Sequence, residues 1–479
     1  MRLSYTLQQC FEAAQSAIQS PQRDVPLGCR PTHVDECKWI QTPELWGLDA
    51  NIEESLLKAK ISDGTQSLLQ EIERVLCSAT KSIDIASLEQ LPDGDFLKVL
   101  GRCLQFIDQQ NRTVRVRMLF GAHLASEESQ ETLHAFVKQL TRNLRSSSQI
   151  NIQASRMLSH AEGLESSWNH AKLIAVDDTN VITGGHNLWS NDYLGVTPVH
   201  DLSATLQGDC AREATAFMDH IWRWIEAHNR SQQSLICQSY EFIDGMIQEG
   251  RSTTRSCDQV DHHRLTHDAR CNALSLMRLG RGLGHDCDCA DGQAMAAILA
   301  AFRQTRSSLL ISHMDLAFRY QDFTAWPDML FACWADLLTS TDRSITIKIV
   351  LSQPNDQMYY SWNIQPQEII EKMKQHIGDR QVTGKLSVST IQYSDTGTCW
   401  PYGSSNKTVA NHAKTWIIDE ELFYIGSDNL YPHLLQEFGY LIDSKKFASE
   451  LISTYWNPLW RYSKQNRLTL EEGTSVHQS

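Results

Sequence analysis

Nowhere in this chain of 479 residues does an apolar run approach the roughly 18 residues of a membrane-crossing helix. Its start, MRLSYTLQQCFEAAQSAIQS, has one early Arg but lacks the apolar run of about seven or more residues that a secretory leader needs, so no such leader is expected. No low-complexity tract is present, and the 41% hydrophobic, 21% charged and 8% aromatic content is that of a folded protein. Positive charge is scarce. With 57 acidic residues against 43 basic ones the formal net charge is −14, the average field repels phosphate polymers, and no basic patch compensates. A nucleic-acid partner is therefore not expected. Cysteine is not scarce: 13 thiols, an odd number, leave at least one unpaired whatever the compartment.

What the sequence does have is an internal repeat, the first thing to look for in a chain of this length. The first half begins with a helical pattern, DGTQSLLQEIERVLCSAT, followed by the alternating strand SIDIASL. The helix DFLKVLGRCLQFIDQQ precedes the strand TVRVRMLFGA, and the helix SEESQETLHAFVKQLTRNL precedes INIQAS. The second half repeats the order with GQAMAAILAAFRQTR, SLLISHMDL, WPDMLFACWADLLTS, SITIKIVLSQ, PQEIIEKMKQHI and KLSVSTIQY. Each series ends in a Trp-rich helix, AFMDHIWRWIEAH or ISTYWNPLWRYS. Strands alternating with helices predict an α/β fold of two tandem mixed-sheet halves, a pseudo-dimer. The expected division is residues 1–235, a polar linker over 236–272, and residues 273–479.

Between the last strand and the Trp-rich helix of each half stands the same tetrapeptide, NHAK, at Asn169–Lys172 and Asn411–Lys414. Copy one continues through His170, Lys172, Asp177, Gly184, Gly185 and Asn187; copy two through His412, Lys414, Asp419, Gly426, Ser427 and Asn429, with identical spacing. A His and a Lys two apart on a strand project to one side. The small pair Gly-Gly or Gly-Ser lets backbone approach closely before Asn presents its amide. Two Lys and two Asn brought together can neutralise a phosphodiester without a metal or other cofactor. Two His can divide the labour, one attacking phosphorus and one carrying the proton of the leaving oxygen, and symmetry leaves open which does which. Each half has only one such histidine, so the reading predicts a single site at the interface.

The duplicated HxKx4Dx6G(G/S)xN pattern resembles that of the phospholipase D superfamily. Over IQTPELWG, SIDIASL, WNHAK, TGGHNLWSNDYLGVTPVHD, FYIGSDNLYPHLLQEFGY and WNPLWRYS the chain is similar to the secreted Streptomyces-type bacterial phospholipases D. The resemblance implies His170 as nucleophile and His412 as general acid. It implies Asp201 and Glu437 as the carboxylates that orient the two imidazoles, with Glu437 a departure, since the family usually has Asp there. Asp177 and Asp419 are expected to be structural, together with Gly184, Gly185, Gly426 and Ser427. Trp189 and Tyr193 are expected to line the entrance. The activity implied is hydrolysis of phosphatidylcholine-like lipids to phosphatidic acid by a monomer acting on a membrane surface, with head-group exchange. Alternatives are a dedicated phosphatidyltransferase, a nucleic-acid phosphodiesterase and an inactive binding protein.

Other features carry weaker expectations. Tyr359, Tyr360 and Trp362 in DQMYYSWNIQP are also expected at the substrate entrance, where they suit either a water–lipid interface or local packing. The glycine-rich stretch Leu279–His285 has no dinucleotide-binding spacing. Cys257, His262, His263, His267, Cys271, Cys287 and Cys289 fit no standard zinc spacing, so no metal is expected. His186, His200 and His433 are expected as loop residues. Export without a visible leader is the expected localisation, because a lipase of this kind would threaten its own cell's membrane.

Overall fold

A computed structural model describes residues 3–17, 28–49, 51–122, 130–161, 166–228, 237–243, 245–249, 271–283, 285–354, 360–395, 400 and 408–471. The repeat is visible in two large mixed sheets. In the first, Ser82–Ser87, Val114–Gly121 and Ile150–His160 run parallel, and the hairpin Leu173–Val176/Asn180–Gly184 and the strand Asp201–Gln207 continue the sheet antiparallel. In the second, Ser308–Ser312, Thr346–Leu351 and Lys385–Thr390 are the parallel trio, followed by Thr415–Ile418/Leu422–Gly426 and Gln436–Asp443. The α/β pseudo-dimer expected from the sequence is the architecture observed.

The strands are apolar on both faces because both faces are covered. In Ser308–Ser312, Leu309 and Ile311 pack outward with Phe331, Trp334 and Ile369 from the second half's outer helices. Leu310, one step out of phase, enters a central core shared by the halves, where Ala175, Leu206 and Phe217 meet Ile417, Phe423 and Phe438. The Trp-rich helix Cys210–His228 and the segment Lys445–Tyr462 contribute Trp222, Ile225, Tyr455 and Trp456 to that core. A single buried layer therefore welds the sheets together, and the strand ends that carry the motifs cannot drift apart.

The structure corrects the division 1–235, 236–272 and 273–479. The strand Cys29–Thr32 pairs with Ala273–Leu279 at the edge of the second sheet, and Leu7, Cys10 and Ala14 of the helix Tyr5–Ser16 lie in that half's core. Conversely Cys237–Ile243 and Met246–Glu249, inside the expected linker, add two strands to the first sheet beside Ile150–His160. The physical reason is the open edge: unpaired N–H and C=O groups of an edge strand are satisfied by whichever segment reaches them. Among the described residues no helix is long and apolar enough to cross a membrane.

Candidate active site

Both NHAK segments lie where the sheets meet, and the backbone itself crosses between them. The His170 N–H donates to the Gln436 carbonyl at 3.0 Å, and the His412 N–H donates to the His200 carbonyl at 2.7 Å. These bonds tie each motif segment to the other half. His170, Lys172, Asn187, His412, Lys414 and Asn429 are all buried.

The carboxylates cross over as well. Glu437 of the second half holds Nδ1 of His170 at 2.6 Å, and Asp201 of the first half holds Nδ1 of His412 at 2.9 Å. An Nδ1–H donated to a carboxylate leaves Nε2 as the atom free to react, and it fixes the ring's direction. Glu437 and Asp201 differ in length, and their surroundings differ to match. A Cβ at Gly185 would stand 1.9 Å from Asp201 Oδ1 and 2.5 Å from the His412 carbonyl, so only glycine fits beside the shorter acid. At the corresponding place Ser427 donates its hydroxyl to Glu437 Oε2 at 2.5 Å. The added methylene of Glu437 thus leaves its carboxylate fully engaged.

Burial pushes both carboxyls upward, opposed at Asp201 by His186 and Lys414 and at Glu437 by His433 and Lys172. Burial lowers both imidazoles well below the usual histidine range, and the Lys172 and Lys414 ammonium charges push them further down. Lys414 itself is pulled down to about 8, again chiefly by burial, with Asp201 and Glu437 working the other way. Each lysine is steered by its own motif: Lys172 Nζ donates to the His170 carbonyl at 2.7 Å, and Lys414 Nζ to the His412 carbonyl at 2.6 Å. The Asn187 amide has neither its oxygen nor its nitrogen paired, and the Asn429 amide oxygen is also open. Buried polar atoms without partners are costly, so these amides are set for a ligand.

Asp177 and Asp419 stay away from this centre. Asp177 accepts from the N–H groups of Thr80, Lys81 and Ser82 at 2.6–2.8 Å, and Asp419 accepts from those of Arg306, Ser307 and Ser308 at 2.8–3.0 Å. Each holds the turn of its hairpin to the start of a parallel strand, at the end far from the histidines.

The entrance residues divide. Trp189 is half-buried with its indole N–H on the Gln90 carbonyl at 2.8 Å. Tyr193 is a correction: it is wholly buried, not at an entrance. Its hydroxyl accepts from the Asn187 N–H at 3.0 Å and donates to Asp201 at 2.9 Å, tying the motif amide to the carboxylate that holds His412. Tyr360 turns inward, its ring edge-on to His412 at 5.2 Å and its hydroxyl on Asp192. Trp362 packs against Phe318 and Tyr431, and Tyr359 lies outside the described residues. Also outside them are Cys257, His262, His263 and His267, and the side chains of Cys287 and Cys289.

The three histidines expected in loops are ordered into the scaffold. His186 bridges Thr42 and Ser203 at 2.7 Å each, and His200 meets the Tyr393 hydroxyl at 2.7 Å. His433 sits 2.9 Å from Asp428 and 3.9 Å from Glu437. Asp428, His433 and Glu437 bring ligand-type atoms within 4.8 Å of one another, but Arg278 already pairs with Asp428 at 2.7 Å, so the protein itself supplies the cation there. The sequence reading missed His313, which is wholly buried with neither ring nitrogen paired. Continuing the antiparallel register of Ser308–Ser312 on Thr415–Ile418 by one residue sets it across from Lys414. Burial, then the Lys414 charge, holds its ring down to about 3, hence neutral. Only the register of SLLIS against the second motif could have found it.

No protein-family model matches the chain. It is 27% identical to the "Phospholipase D" of Streptomyces antibioticus over 484 aligned positions, covering 91% of this chain and 82% of that protein. Its fold is similar to the crystal structure of phosphatidylserine synthase from Haemophilus influenzae Rd KW20, with a TM-score of 0.53, 14% identity, and coverage of 98% of this chain and 93% of that one. Along nearly its whole length the chain is thus similar to a phospholipase D, a phosphodiesterase, and it joins that likeness to two facing HxK motifs with crossed carboxylates.

Proposed function

We propose that the protein is a phospholipase D that hydrolyses phosphatidylcholine-like glycerophospholipids to phosphatidic acid and the head-group alcohol. The observation that carries this reading is the crossed pairing, Glu437 on His170 and Asp201 on His412, which leaves two Nε2 atoms to share one phosphoryl group. In the first step His170 Nε2 attacks phosphorus while the phosphorus–oxygen bond to the head group breaks, and His412 delivers its Nε2 proton to the departing oxygen. In the second, His412 Nε2 takes a proton from water, the water oxygen attacks phosphorus, and the phosphorus–nitrogen bond breaks. An alcohol in place of water gives head-group exchange.

The charges fit this sequence. Without substrate, burial and two ammonium groups keep both imidazoles neutral, which suits a nucleophile. A bound phosphodiester anion offsets the lysines, so His412 can hold the proton it must deliver, stabilised through Nδ1 by Asp201. The unpaired Asn187 Nδ2 supplies a further donor for the phosphoryl oxygens.

A dedicated phosphatidyltransferase would use the same intermediate and differ only in its acceptor. Incubation with phosphatidylcholine vesicles and a primary alcohol, in chelator, separates the readings. The lipase reading expects both phosphatidic acid and the phosphatidyl-alcohol, with both lost in His170→Ala. Phosphatidyl-alcohol alone would favour the transferase, and neither product would sink the lipid reading.

A further inference from the structure

Seven large apolar side chains are exposed among the described residues, and three of them, Tyr320 (46%), Phe323 (53%) and Met329 (61%), fall within ten consecutive positions. Scattered exposed apolar residues need no explanation, but a cluster does. Tyr320 and Phe323 face each other as the last pair of a small hairpin, Phe318–Tyr320 against Phe323–Ala325, which belongs to neither large sheet. The turn between them is Gln321–Asp322, with Gln321 in the left-handed region at φ 53°.

The base of this hairpin is clamped beside the active site. Phe318 packs on Trp362 at 4.6 Å and on Tyr431 at 6.5 Å between ring centroids, and the Tyr431 hydroxyl accepts from the motif amide of Asn429 at 3.0 Å. Arg319 is spent on Glu368, Thr324 Oγ1 and the Asn363 carbonyl. One end of the hairpin therefore touches residues that contact the catalytic motif, and the other presents two aromatic rings to solvent. The exposed charge nearest the tip in sequence is acidic, Asp322, and Asp328 beside Met329 is paired with Lys372 and His376.

We propose that the hairpin 318–325, with Met329, is the surface by which the protein docks on a phospholipid layer, its aromatic tip entering the interface so that the adjoining site reaches the head-group plane. This rests on the lipid reading of the site. Rings of this kind partition to the water–lipid boundary, where one edge is apolar and the other wet. With no free cation at the tip among the described residues, the attachment is apolar rather than electrostatic. It favours zwitterionic over anionic layers and is insensitive to salt. Of the aromatics weighed between an interface and local packing, Tyr360 and Trp362 pack into the protein.

The test is cosedimentation of the full chain with phosphatidylcholine vesicles at low and high salt, comparing wild type with Tyr320→Ser/Phe323→Ser, alongside turnover of a short-chain phosphatidylcholine kept below its micelle concentration. The expected result is a loss of vesicle binding of about tenfold or more, no salt effect, and unchanged turnover of the soluble substrate and melting temperature. Wild-type vesicle binding by the variant would overturn the proposal. So would unchanged binding together with a shift from dimer to monomer in light scattering, which would make the tip a contact between two copies. A wild type that binds vesicles through the hairpin but turns over neither substrate would sink the lipase reading and leave the docking surface standing.

Discussion

The Asp201 carboxylate lies 2.9 Å from Nδ1 of His412, across 211 residues of sequence and across the boundary between the two sheets. Asp201→Asn keeps the shape but lets the amide donate where the ring must donate, which selects the wrong tautomer. A fall in kcat of roughly 10²–10⁴-fold with little change in KM is expected. Gly185→Ala should reproduce the loss without touching either partner, because its methyl would occupy the space of Asp201 Oδ1. Steady-state kinetics on a short-chain substrate decide the point, and an unimpaired Gly185→Ala enzyme would show that this carboxylate is not what positions His412.

The pH profile should report Glu437. Burial raises its carboxyl from 4.5 to about 7, against the pull of His433 and Lys172, while His170 is held well below 6.5. Below about 7 the acid carries the proton and can no longer accept the His170 Nδ1–H, so kcat/KM should fall as pH drops through that region. For stability the sign is the opposite: a raised carboxyl favours the folded state most below its unfolded value and loses that contribution as pH rises through about 7. Glu437→Gln should therefore be nearly inactive, lack the acidic limb, and melt no lower than wild type at pH values above about 7. A retained limb in that variant would assign it to another group.

A second charge cluster is structural. Arg117 is wholly buried, with Asp84 directly across the parallel ladder at 2.5 Å and Asp219 of the central helix at 2.7 Å. Removing the cation strands two buried carboxylates, so Arg117→Leu should destabilise the fold by about 3–5 kcal/mol. Adding Asp84→Asn and Asp219→Asn should recover much of that loss. Urea midpoints at constant slope measure both, and a triple variant as unstable as Arg117→Leu would mean that packing, not charge, dominates.

What could be read from the sequence was whatever repeats. The duplicated spacing from His170 to Asn187 and from His412 to Asn429 implied both halves and a single shared site, because chemistry needing two histidines cannot be completed by one copy. Relations set by tertiary pairing were not legible. That Cys29–Thr32 joins the second sheet depends on which edge lies open, and nothing local records it. Tyr193 sits in a polar loop sequence, SNDYLG, that suits a surface as well as a buried hydroxyl bridge. Glu437 departs from the Asp that the resemblance implies, and nothing local to it records that the Ser427 hydroxyl engages its longer side chain.

The division of labour between the histidines yields the sharpest experiment. If His412 is the acid, its proton matters only when the leaving oxygen is a poor leaving group. A substrate with a nitrophenol head group departs as a stable anion without that proton. His412→Ala should therefore still release one equivalent of nitrophenolate in a burst, with attack by His170 Nε2 intact. It should then stall, because no base remains to take the proton of the incoming water. The trapped enzyme would gain the mass of one phosphatidyl group, and peptide mapping would place it on His170. His170→Ala should show neither burst nor adduct. A burst from His170→Ala, with the phosphatidyl group on His412, would reverse the roles while leaving the crossed pairing with Glu437 and Asp201 unchanged.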